Sequence, residues 1–101
     1  MARLDYVSQA LTKAISSLVS HPGRIADRMK SAYAEMWPVE SKKLPDDLRS
    51  DWIYIEDRLN VGEGDVASTI DELSETDLSE IAIRILSFAD RVDTFLREGR
   101  A

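Results

Sequence analysis

The side chains best suited to chemistry are few in this chain. His21 is the one histidine among 101 residues, and there is no cysteine. Metal or acid–base work by an imidazole needs partners at a fixed spacing, as in an H-E-x-x-H helix, and zinc needs Cys or His in close pairs. Neither pattern occurs, and His21, standing between a helix end and Pro22, reads as a capping or solvent-exposed residue. Eleven serines are present, but none lies in G-x-S-x-G, and one histidine leaves little room for a triad. The loop "GEGD", Gly62 to Asp65, has the look of a phosphate cradle opening a helix. No G-K-[ST] follows it, Glu63 and Asp65 would repel phosphate, and its glycines stand where a calcium loop needs oxygen ligands. A turn between helices accounts for it. A di-metal bundle would need inward Glu-x-x-His pairs, which this sequence lacks. These residues point away from an enzyme, and no cofactor or metal is implied.

Charge is the stronger surface signal. The net charge is -6, and it is unevenly spread. Residues 1 to 50 hold eight Lys/Arg and six Asp/Glu, whereas residues 51 to 101 hold five and thirteen. Between Asp51 and Glu80 ten carboxylates face one base, Arg58. A field of one sign over that half would repel nucleic acid and attract a basic surface. Asp71 and Glu72 are its candidate contacts. A merely solvated polar face is the plainer reading of the same residues, since surface charge is the ordinary route to solubility. The counter-case is basic: Arg24, Arg28, Lys30, Lys42 and Lys43 could meet phosphate. Acidic residues are interleaved with them, and a pI near 4.7 is opposite to the usual nucleic-acid footprint, so nucleic acid is the disfavoured partner.

The elements that must carry these side chains follow from apolar spacing. Leu4, Val7, Leu11, Ile15 and Leu18 make a core-facing stripe over a first helix, Ala2 to Ser20. Pro22 ends it and suits the first position of a second helix, Pro22 to Trp37, with Ile25, Met29, Ala32, Tyr33 and Met36 on one side. Pro38 closes that helix, and Pro45 opens a third with Leu48, Trp52, Ile55 and Leu59 inward and Asp46 and Asp47 at the positive end of its dipole. A short helix from Val66 to Leu73 is capped by Asp65. The longest then runs from Ser74, a loose capping box with Asp77, to an orderly stop at Arg97 and Gly99. Its stripe, Leu78, Ile81, Ile85, Phe88, Val92 and Phe95, is broad enough to make it the central helix.

Three residues fall outside this order. Tyr54 lies beside the third helix's stripe and reads as an exposed aromatic. Trp37 stands at a helix end beside Lys42 and Lys43, where it either caps the bundle or faces solvent; the cap is favoured because large aromatics bury most of their surface. Ile83 lies about 200° from Ile81 on the helix wheel. An all-round apolar central helix buries it most simply, and homodimerisation through this helix is the functional alternative.

The sequence therefore predicts one all-α domain spanning residues 1 to 101, a compact bundle of four to five helices, mainly antiparallel, with a long central C-terminal helix. At this length a chain buries about two-thirds of the surface it exposes when unfolded, so no disulfide staple is required. No apolar run approaches the roughly twenty residues that span a bilayer, and Asp5 falls where a signal peptide would be apolar, which with the absence of cysteine places the chain in the cytoplasm. The function that fits is a non-enzymatic protein-interaction module: a small acidic adaptor, regulator or inhibitor, of the kind a bacterium or phage encodes as a modulator. The alternative is a nucleic-acid-associated regulator using the basic residues between Arg24 and Lys43.

Overall fold

The computed structural model describes residues 3–20, 23–36, 38–59 and 64–99, the side chains of residues 3 and 4 excepted. Among the described residues lie five α-helices, one 3-10 turn and no strand: α1 Arg3–Ser20, α2 Ile25–Met36, the turn Ser41–Lys43, α3 Asp46–Leu59, α4 Val66–Glu72 and α5 Glu75–Arg97. The all-α bundle is the fold, and its longest helix, α5, packs against α1, α2 and α3.

Helix ends show how local chemistry sets the bounds. The Asp65 carboxylate accepts from the Ala67 amide at 3.3 Å and from the Ser68 hydroxyl at 2.9 Å. Ser74 Oγ accepts from the Asp77 amide at 3.0 Å, so the expected cap of α5 is made. At the other end Gly99, with φ 68, lets its amide turn back to the Leu96 carbonyl at 3.0 Å. Only a residue without Cβ takes that conformation at no steric cost. One expected start is corrected and one is refined by a single residue. Helix α2 begins at Ile25 rather than Pro22, because Gly23 has φ 148, incompatible with a helix, and the first intrahelical bond runs from the Arg28 amide to the Arg24 carbonyl. In α3 the Pro45 carbonyl accepts from Leu48 and Arg49, which makes Pro45 the cap and Asp46 the first helical residue.

Cross-helix contacts fix the directions. Along α3 and α5, Asp51 pairs with Arg91, Trp52 stacks on Phe88, and Arg58 reaches Asp77 and Glu80. Rising numbers on one helix meet falling numbers on the other, so the two are antiparallel. Helices α1 and α2 are antiparallel by the same test: Arg28 bonds the Leu18 carbonyl at 3.2 Å and Tyr6 bonds the Pro38 carbonyl at 3.3 Å.

The core is one cluster drawn from every α-helix. Val7, Leu11, Ala14 and Leu18 come from α1, Met29, Ala32 and Met36 from α2, Leu48, Trp52, Ile55 and Leu59 from α3, Ile70 from α4, and the α5 stripe completes it. Trp52 is 2% exposed, with ring centroids 5.6 Å from Phe88. Ile15 is only half-buried while Ala14 is fully enclosed; the close approach of α1 to its neighbours selects the small residue for the centre of the face and leaves the larger one at its margin. Val39 and Leu44, in the connection between α2 and α3, are also buried. Arg49 ties that connection down, donating to the Ser41 carbonyl at 3.1 Å and the Leu44 carbonyl at 2.7 Å while pairing with Asp46 at 2.6 Å.

Candidate interaction surfaces

Exposed acidic residues are distributed along α4 and the first turns of α5. Asp65, Asp71, Glu72, Glu75 and Glu80 are exposed there, and Asp57 is exposed on α3. The nearby bases are engaged: Arg58 pairs with Asp77 at 3.4 Å and with Glu80 at 3.9 Å, and Lys30 pairs with Asp71 at 2.7 Å. Asp71 thus has an internal task, joining α4 to α2. Glu72 and Glu75 make no ion pair among the described residues, and Arg24 lines one recess with Asp71 and Glu75. The excess of carboxylates seen in the sequence is therefore partly spent inside the fold, and what faces solvent is smaller than the count of ten suggests.

The basic residues do not assemble. Arg28 is turned inward to cap the end of α1 at Leu18, with its Nε buried and lacking an acceptor, and Lys30 belongs to Asp71. Lys42 and Lys43 are exposed, at 3.8 and 3.2 Å from the two carboxylate oxygens of Glu40. They lie beyond the far end of α2 from Arg24, about 18 Å along a helix of this length. Trp37, the expected cap beside them, lies outside the described residues, as do His21 and the Gly62–Glu63 part of the loop.

Tyr54 and Ile83, with no relation evident in sequence, come together. With Glu80 and Arg84 they line a shallow recess of about 310 Å³ between α3 and α5. Tyr54 is half-buried rather than exposed: the Arg84 guanidinium lies over its ring at 4.2 Å, and Arg58 donates to its hydroxyl at 2.7 Å. A cation over an aromatic face gains from the ring quadrupole, so the tyrosine is held by two arginines that the surrounding carboxylates also need. Ile83 is 60% exposed, which corrects the expectation that a second neighbour covers it. The helices of the bundle lie along other sides of α5, and its outer side has no covering element among the described residues. Leu86, one turn on, and Val19 on α1 are likewise exposed.

One titratable pair is half-buried. Burial raises the Glu56 carboxyl above its ordinary range; the Trp52 indole N–H opposes the shift and the neighbouring Asp57 charge adds to it. Trp52 Nε1 is itself buried without an acceptor in good geometry, so the approach of Glu56 is a weak electrostatic contact, not a formed hydrogen bond. Tyr33 on α2 is raised as well, by burial first and by Glu56 second. Among the described residues no three His, Asp or Glu side chains converge as a metal site would require, and no helix is long and apolar enough to cross a membrane. No protein-family model, no curated protein and no solved structure gives a significant match to the chain.

Proposed function

We propose that the protein is a non-enzymatic interaction module, a small acidic adaptor, regulator or inhibitor that works by docking another protein with a basic surface. The observation that carries this reading is the corner formed by the end of α4 and the start of α5, where Glu72 and Glu75 are exposed without an ion pair among the described residues, next to Asp71. A basic partner would be attracted to these exposed carboxylates in a fast, salt-sensitive encounter. The working compartment in this reading is the cytoplasm, supported by the absence of cysteine in a chain that needs no disulfide.

The nucleic-acid alternative is weakened by the inward use of Arg28 and the pairing of Lys30 with Asp71. The two readings part in one experiment: capture from nuclease-treated lysate with the wild-type chain and with a Glu72→Lys/Glu75→Lys variant. Capture of a protein that weakens with added salt and is lost in the variant supports the acidic corner. Capture indifferent to both removes that corner, and salt-sensitive retention on DNA by the wild type would favour the alternative.

A further inference from the structure

A second surface follows from the register of α1 against α5. Ser8 on α1 donates to the Asp93 carboxylate on α5 at 3.1 Å. At the other end of α1, Arg28 holds Leu18 to the start of α2, and that start shares a recess with Glu75 and Leu78 at the beginning of α5. The two helices are therefore antiparallel. From Ser8 and Asp93, two turns along each, about seven residues, lead to Ile15 and Leu86. One further turn leads to Val19 on α1 and to Ala82 with Ile83 on α5. Val19 is 73% exposed, Ile83 60% and Leu86 44%, with half-buried Ile15 and Ala82 between them and the core.

This face differs in charge from the rest of the molecule. Between Tyr6 and Ser20 the only charged residue is Lys13, and on α5 Ser79, Ala82, Ile83 and Leu86 carry no charge, with Glu80 and Arg84 bordering Ile83 on its α3 side. We propose that the α1–α5 face is the interface for a second copy of this chain. A two-fold interface sets a patch against itself, so any charge near the axis meets its own sign. For a molecule of net charge -6, an uncharged apolar patch is the surface that can self-associate without that cost, and a partner selected by charge would find nothing here to recognise. The surface is distinct from the acidic corner, so the two proposals stand or fall separately.

Sedimentation equilibrium tests it on the full chain. The wild type should form dimers in the micromolar range, an Ile83→Lys/Leu86→Lys variant should raise the dissociation constant at least tenfold, and Ile53→Lys, at the exposed isoleucine of α3, should leave it unchanged. Because the chain has no cysteine, a single Ile83→Cys substitution gives a second readout: oxidation should link two copies at least tenfold faster than in Ile53→Cys. A wild type that stays monomeric to about millimolar concentration, a dimer broken by Ile53→Lys but not by the double variant, or equal cross-linking rates would each overturn the proposal.

Discussion

The outer faces of α5 behave as two surfaces because different neighbours flank them. Toward α3 and α4 the helix offers Asp77, Glu80 and Arg84, each held by an ion pair or an aromatic ring, and exposed carboxylates continue the field beyond it. Toward α1 it offers Leu86, with Ile83 on the ridge it shares with the Tyr54 recess, beside a helix whose exposed residues after Asp5 are Gln9, Thr12, Lys13, Ser16, Val19 and Ser20. One element thus borders an ion-rich region on one side and an apolar patch on the other. Net charge describes neither: a chain of net charge -6 can keep the patch around Val19, Ile83 and Leu86 apolar.

The largest effect comes from breaking what both surfaces share. Trp52→Ala removes the indole stacked on Phe88 and should cost about 3–5 kcal/mol, the range for deleting a buried large aromatic. Chemical denaturation checks it, and the variant should lose both surfaces together. A loss below about 1 kcal/mol would mean that α3 and α5 are not joined through this pair. Ser74→Ala acts on one end of α5 alone. It deletes the bond to the Asp77 amide and should cost about 1 kcal/mol, loosening the acidic corner while the α1–α5 face, farther along the helix, stays protected in amide exchange.

Smaller effects sharpen the contrast. Lys30→Ala breaks an exposed pair with Asp71 and should change stability by less than about 1 kcal/mol, yet it frees a carboxylate and should strengthen attraction to a basic protein at low salt. Unaltered binding would show that Asp71 is not part of the docking corner. The smallest effect is on pH dependence. The Glu56 carboxyl binds its proton more tightly folded than unfolded, so the stability it contributes is greatest below the ordinary carboxylate range and declines as pH rises through the interval up to the raised value, then levels off. Glu56→Gln should flatten that decline and be slightly more stable than wild type at neutral pH, as read from thermal midpoints across pH; an unchanged slope would show that Glu56 is solvated.

What could be read without the structure follows how far each signal reaches along the chain. The α5 stripe repeats every three or four residues from Leu78 to Phe95 and its cap lies three residues from its acceptor amide, so both were legible. Val39 and Leu44 were not, because an irregular connection has no period and their burial depends on Arg49 drawing the Ser41 and Leu44 carbonyls onto α3. Tyr54 read as exposed for a related reason: its partner Arg84 lies thirty positions away and reaches it only when α3 and α5 run antiparallel. Ile83 was ambiguous by its angle alone, since exposure is decided by which sides of α5 the other helices occupy. Asp71 and Glu72 are adjacent in sequence and equivalent on paper, and Lys30 separates them in the fold.

The division between the two surfaces is tested most directly by the salt dependence of self-association. Sedimentation equilibrium of the wild-type chain from low salt to roughly 0.5 M salt, where the Debye length falls to about 4 Å, compares the uncharged contact with the charge that opposes it. Dimerisation through the α1–α5 face should strengthen as salt screens the repulsion between two acidic bodies. A dimer that instead dissociates with added salt would be held by charge pairs, and α5 would then not divide a charged docking surface from an uncharged self-association face.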